Sequence, residues 1–236
     1  MILSMLNIEQ FRAGDNLAYL IFKETQAVAV DGVAWQEILV FLEKNKLSLS
    51  LIANTHQHFD HTGGNAHLAE ATGAKVLTFA DLADNKIISL KGEEITVYRT
   101  PGHTNDSVCF YTGSVLISGD TLFNATIGNC FTGDLKSFYL SIKRLMTLPD
   151  KTLIFAGHDY VRDSLAFARR LEPNNKDIDK FWNSYDPDCV YSTMADERKI
   201  NPYLRFNEEP IIKLLQKKKL PHATQWERWQ SLMSID

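Results

Sequence analysis

The sequence predicts an α/β fold, a layered sandwich carrying a helical C-terminal appendage, and three observations lead there. Short apolar runs of strand length alternate with segments of helical periodicity. The turns that bear histidine or charged residues follow those strand-like runs. Beyond Asp163 the β-branched runs stop, and helical segments interrupted by Pro173, Pro187, Pro202, Pro210 and Pro221 take over. With 236 residues, 44% of them hydrophobic and 23% charged, the chain suits one well-filled core plus an appendage rather than two large domains.

In order along the chain, residues 17–31 give two apolar runs around Lys23-Glu24-Thr25-Gln26, the pattern of a buried hairpin. Residues 34–45 place Trp35, Ile38, Leu39 and Leu42 on one helical face. A short strand over 49–54 runs directly into a histidine-rich turn, at the carboxyl end where sheets of this kind gather their chemistry. A helix is expected over 66–72 and strands over 75–78 and 94–99. Residues 108–111 and 115–118 form a hairpin through Thr112-Gly113-Ser114. A loop after Asp120, a helix over 135–148 stopped by Pro149, and a strand over 151–156 complete the sandwich. The soft boundary to the appendage falls near Leu171.

The formal net charge of −4 disfavours a phosphate backbone as partner, so nucleic acid is not expected. Cys109, Cys130 and Cys189 are sparse, odd in number and without a C-x-x-C pair, which favours free thiols in a reducing compartment. The N-terminus lacks the layout of a signal peptide and no apolar run is long enough to span a bilayer. A cytoplasmic monomer without membrane attachment is the expectation. Trp226, Trp229 and Leu232 at helical spacing read as packing, and His67 and His222 as bystanders.

The chemistry concentrates in Thr55-His56-Gln57-His58-Phe59-Asp60-His61. His56 and His58 alternate, so an extended segment turns both imidazoles the same way, and the following turn can present Asp60 and His61 to a second point nearby. A single loop histidine is ordinarily solvated; three with an aspartate this close would crowd their lone pairs without a shared cation. Further ligands come from His103, Asp120 and His158, each just after a glycine in a turn that follows a predicted strand. Seven candidate ligands suffice for two metals if Asp120 bridges.

These motifs also carry a family resemblance. T-H-x-H-x-D-H, then P-G-H-T, S-G-D-T-L-F and G-H-D-Y, in this order, resemble the metallo-β-lactamase superfamily and, within it, glyoxalase II, the hydroxyacylglutathione hydrolases. The similarity extends to Asp15-Asn16, to Leu148-Pro149-Asp150, and to Glu197-Arg198-Lys199-Ile200-Asn201-Pro202-Tyr203-Leu204-Arg205 in the tail. It implies an αββα sandwich over residues 1–170 and a helical substrate-binding domain over 171–236. One metal would take His56, His58 and His103, the other Asp60, His61 and His158, with Asp120 between them. Zinc is the first choice, with iron or manganese as alternatives.

The implied reaction is hydrolysis of S-(2-hydroxyacyl)glutathione, such as S-D-lactoylglutathione, to glutathione and a 2-hydroxy acid such as D-lactate, the second step of methylglyoxal detoxification. Asp60 and Asp120 would flank a metal-bridging hydroxide that attacks the thioester carbonyl. A thiolate leaves without protonation, which suits a site with no obvious general acid outside the ligands. Asp31, Thr55 and Thr121 are candidates to orient ligands. The resemblance puts Tyr160, Arg205, Asn129 and Phe131 at the substrate. At Gly128-Asn129-Cys130-Phe131-Thr132-Gly133 the sequence departs from the family pattern: Asn129 stands where a basic residue is usual and Phe131 where a phenol is common. The alternative this raises is the same centre acting on another thioester, a persulfide or a lactone.

Overall fold

Leu17, Ala18, Tyr19, Leu20 and Ile21 are all buried, because the pleat of one strand sends alternate residues into two different cores. The chain is described by a computed structural model covering residues 6–235, so the N-terminal reading above, apart from Leu6, lies outside the described residues. That strand, β2 (Asn16–Lys23), pairs with β1 (Asn7–Ala13) and β3 (Gln26–Val30), and the sheet continues through β4 (Ser48–Ala53) to β5 (Lys75–Val76). Between β3 and β4, which run parallel, lies α1 (Trp35–Asn45). After β4 come the four-residue α2 (Phe59–Thr62) and then α3 (Asn65–Thr72). Ala18 and Leu20 face Ile38 and Leu42 of α1 and Leu68 of α3, forming the outer core of this sheet.

Leu17, Tyr19 and Ile21 face inward onto a second sheet and share a core with Ile95, Val97, Phe110 and Ile117. This sheet contains β6 (Ile87–Leu90), β7 (Glu93–Arg99), β8 (Val108–Tyr111), β9 (Val115–Gly119), β12 (Leu153–Ala156) and β13 (Ser192–Thr193). A small hairpin, β10 (Leu122–Phe123) and β11 (Thr126–Ile127), projects after β9. The outer face of the six-stranded sheet is covered by α4 (Leu135–Leu145), whose Phe138, Ile142 and Leu145 pack on Leu116 and Ile154. Two sheets between two helical layers make the expected αββα sandwich.

The C-terminal helices are α5 (Val161–Leu171), α6 (Lys176–Ser184), α7 (Met194–Ile200), α8 (Glu209–Lys217) and α9 (Gln225–Leu232). They build on the sandwich's cores: Leu165 and Ile178 join the inner one, while Met194, Ile211 and Trp229 join that beneath α4. Trp229 and Leu232 are therefore packing residues, as their spacing implies. No helix of the described residues is long and apolar enough to cross a membrane.

The structure also corrects details. Strand β1 escapes a pattern search because it is an edge strand, with only Phe11 buried among polar neighbours. The loop after Asp120 contains the β10–β11 hairpin, whose strands are too short to show periodicity. One strand, β13, follows Asp163 where none is expected, paired antiparallel to β12. Pro210 opens α8 rather than breaking a helix, since the first turn needs no N–H donor there.

One buried group gives the fold a pH dependence. Glu197 on α7 is fully buried, and desolvation, aided by the charge of Asp196, pushes its carboxyl up to about 7 against the opposing hydrogen bonds. Because the folded chain holds this proton above the unfolded value, stability falls as pH rises from the ordinary glutamate range to about 7. In urea unfolding, the difference between wild type and Glu197→Gln should shift by up to about 3 kcal/mol between pH 5 and pH 8, against the wild type at the higher pH. A pH-independent difference would contradict this.

Candidate metal centre

The β4 strand delivers Asn54-Thr55-His56 into the interior at its carboxyl end, and α2 immediately turns the chain so that His61 points back to the same place. His103 arrives on the turn after β7, Asp120 on the turn after β9, and His158 on the turn after β12. All seven sequence-predicted ligands converge. His56, His58 and His103 form one set whose ligand atoms lie within 4.8 Å of one another, and Asp60, His61 and His158 form another. His56, His61 and Asp120 form a third set that joins the two. Asp120 Oδ2 lies 3.4 Å from His103 Nε2 and 3.5 Å from His158 Nε2, and its Oδ1 lies 3.4 Å from His61 Nε2.

The imidazoles are aimed from behind. His61 Nδ1 lies 2.9 Å from Asp31 Oδ2, His103 Nδ1 lies 2.9 Å from the Asn129 carbonyl, and His56 Nδ1 lies 3.1 Å from Thr55 Oγ1. Thr55 Oγ1 donates in turn to Asp31 Oδ2 at 2.9 Å. On these three rings the back nitrogen is held as the N–H, so Nε2 is the atom presented inward. His158 presents Nε2, 3.3 Å from His61 Nε2, while its Nδ1 is buried without a hydrogen-bond partner among the described residues, and His58 presents Nδ1, 2.9 Å from His56 Nε2 and 3.2 Å from His103 Nε2.

Lone pairs facing each other at these separations fit a shared cation. Two further observations agree. Asp120 Oδ1 is buried without a hydrogen-bond partner among the described residues. Against the cost of burial, Asp31 and Asp120 pull the His61 imidazole up to about 10, so the protein has prepared strongly negative potential at this point. At the other side, burial and then His61 push His56 down to about 4, keeping it a neutral ligand. Asp120 is held far below the usual carboxylate range by its contacts with His158 and His61, which outweigh its burial. The residues suit a divalent cation bound by imidazole and carboxylate.

Close approach is enforced by glycine. A Cβ on Gly157 would fall 2.2 Å from Asp120 Oδ1 and 2.8 Å from His61 Cε1, so the β12 turn can pass beside the ligands only without a side chain. Behind the cluster, Asn16 Nδ2 donates to Asp60 Oδ2 at 3.2 Å and to the Asp60 carbonyl at 3.0 Å, holding a carboxylate that is half exposed. Asn54 Nδ2 contacts Asp31 Oδ1 at 3.3 Å, and Asn65 Nδ2 donates to Asn54 Oδ1 at 2.7 Å. Sequence reasoning gave neither Asn54 nor Asn65 a role; their only signal was proximity to the histidine turn.

The candidate substrate residues divide. Tyr160, at the start of α5, stacks on the His158 ring at 4.8 Å between centroids and is partly exposed. Its phenol, pushed up to about 12 chiefly by burial, remains a donor at neutral pH. Phe131 is 67% exposed and meets His103 and His58 edge-on at 5.1 and 5.8 Å, at the mouth of the cluster. Asn129 is exposed beside it and lends only its carbonyl to His103.

Arg205 is placed elsewhere. It grips Glu172 through Nε and Nη2, both at 2.8 Å, at the far end of α5 from Tyr160. A guanidinium already neutralised by a buried carboxylate is not free to receive a substrate carboxylate. Thr121 likewise departs from expectation, since its hydroxyl lies 2.9 Å from Thr100 Oγ1 rather than on a ligand.

This sandwich, with its ligand turns all at one end of the strands, defines a protein of the metallo-β-lactamase superfamily, whose family model matches residues 12–87 and 81–158. A second family model, the hydroxyacylglutathione hydrolase C-terminus, matches residues 159–234. The hydroxyacylglutathione hydrolase of Chromohalobacter salexigens is 33% identical over 90% of this chain and 91% of its own length. That of Pseudomonas syringae pv. syringae is 36% identical over 84% of this chain and 85% of its own length. Among solved structures, ETHE1 from Myxococcus xanthus is 26% identical, with a TM-score of 0.68 over 95% of this chain and 99% of that one. The chain belongs to the hydroxyacylglutathione hydrolase family, glyoxalase II.

Proposed function

We propose that the chain hydrolyses S-(2-hydroxyacyl)glutathione thioesters, S-D-lactoylglutathione among them, at a binuclear centre held by His56, His58, His103, Asp60, His61, His158 and a bridging Asp120. The observation that carries this reading is the convergence of two ligand sets with Asp120 within 3.5 Å of nitrogens from both. When bound, divalent cations supply Lewis acidity and make water nucleophilic at neutral pH. Zinc is the proposed metal, with iron or manganese compatible with the same ligands.

The protein's own groups do the rest. Thr55, Asp31 and the Asn129 carbonyl fix the tautomers of His56, His61 and His103 respectively. Phe131, against His103, and Tyr160, against His158, offer an apolar edge and a hydroxyl donor to the substrate. The leaving thiolate needs no proton, so no general acid is required of the site. The helices after residue 171 hold the thiol carrier, and the chain works as a soluble monomer in the cytoplasm.

Steady-state hydrolysis of S-D-lactoylglutathione by metal-replete protein tests this directly, and turnover lost to a chelator and restored by metal is the expected result. Asn129 bears on the carrier. A lysine there would offer the anionic tripeptide a charge-assisted hydrogen bond, so Asn129→Lys should lower KM about 5-fold, roughly 1 kcal/mol, with kcat little changed. An unchanged KM would show that this position does not meet the tripeptide.

A further inference from the structure

Glu197 and Asn201, one turn apart at the end of α7, reach across to the tip of the β10–β11 hairpin rather than to solvent. Both Glu197 carboxylate oxygens accept from the Ala125 N–H at 3.0 Å, and Asn201 Nδ2 donates to Glu197 Oε2 at 2.7 Å and to the Thr126 carbonyl at 2.9 Å. Asn124, beside them, donates to Ser192 Oγ at 2.7 Å and to the Ile154 carbonyl at 3.1 Å. Glu197, Asn201 and Asn124 are all buried. Ala125 is held at φ 71, a left-handed conformation that a residue with a Cβ adopts only under constraint.

The two legs of this hairpin lead straight to the cluster. Before β10 the chain is Asp120-Thr121; after β11 it is Gly128-Asn129, whose carbonyl orients His103. The legs touch there, since a Cβ on Gly128 would fall 1.9 Å from the Asp120 carbonyl oxygen and 3.1 Å from His103 Nδ1. Holding the tip therefore fixes the separation and tilt of both legs at once.

We propose that Glu197, with Asn201, is a positioning residue: it clamps the hairpin tip so that the Asp120 carboxylate and the Asn129 carbonyl behind His103 are set for the metal. This rests on the cluster being a metal site as proposed above. It makes the helical tail part of the metal centre's support. At pH 8, where Glu197 is ionised, glutamine in its place keeps the shape but turns an N–H toward the donor of Asn201 or Ala125, so the tip loses a partner while the core remains filled.

The test compares wild type, Glu197→Gln, Asn201→Ala and Arg198→Ala at pH 8. Arg198 anchors the same helix to the Met146 and Leu148 carbonyls and to Asp150 without touching the hairpin. Zinc and cobalt affinities are read by competition with a chromophoric chelator, the cobalt absorption spectrum reports ligand geometry, and kcat and KM are measured separately at a temperature where circular dichroism shows every variant folded. Glu197→Gln and Asn201→Ala should bind metal about 10- to 100-fold more weakly and shift the cobalt spectrum. Their kcat should fall about 10-fold with KM within 2-fold, whereas Arg198→Ala keeps wild-type metal affinity. Metal affinities within 2-fold of wild type in both hairpin variants, or equal losses in Arg198→Ala, would overturn the proposal. Wild type that binds metal but does not hydrolyse the thioester would sink the activity assigned above while leaving the clamp to be decided by the metal affinities.

Discussion

Asp120→Asn should lower kcat/KM for S-D-lactoylglutathione on the order of 1,000-fold, which corresponds to about 4 kcal/mol of lost transition-state stabilisation. The size follows from position. Asp120 is the only described side chain whose oxygens reach both ligand sets, with Oδ2 near His103 and His158 and Oδ1 near His61. An amide at this point keeps the volume and one acceptor but loses the negative charge and places an N–H against imidazole lone pairs. The metal content of the purified variant should fall with the activity. If metal stays at the wild-type level and activity falls less than 10-fold, Asp120 does not bridge.

Asp31→Ala should cost about 100-fold in metal affinity and several degrees of Tm together. Asp31 touches no candidate metal position, yet its carboxylate accepts from the Thr55 N–H at 2.8 Å and the Thr55 hydroxyl at 2.9 Å, and faces His61 Nδ1 at 2.9 Å. Removing it frees the His61 tautomer and weakens the chain from Thr55 to His56; outer partners of this kind are worth about 10–100-fold in affinity or activity. It also leaves two or three buried donors unpaired, at about 1–3 kcal/mol each. Asp31 itself sits at φ 62, so this turn is held in an uncommon conformation in order to aim the carboxylate. Chelator competition and thermal unfolding of the same preparation separate the two effects. A variant with wild-type metal affinity and only a lower Tm would reduce Asp31 to a structural role.

The candidate ligands were legible because their chemistry is written locally: four of the seven lie between His56 and His61, and the others follow glycines at strand ends. The alternating burial of β2 was legible as a continuous apolar run, since a strand between two cores has no polar face. Contacts that join distant segments were not. Arg205 looks free in sequence because its partner, Glu172, lies 33 residues away at the end of another helix. Thr121 follows a ligand, but its hydroxyl pairs with Thr100 across the β-sheet turns. Glu197 sits among charged neighbours in an exposed-looking motif, and only the fold shows that it is buried against the hairpin after Asp120. Strands β10 and β11 have two residues each, too few for any period to appear.

Thioester hydrolysis at this cluster by two metal ions is tested most directly by titrating metal into chelator-treated protein while following S-D-lactoylglutathione hydrolysis. Turnover that rises with bound metal and saturates at two equivalents per chain is the predicted result. Metal-replete protein with no turnover above the uncatalysed rate would contradict it.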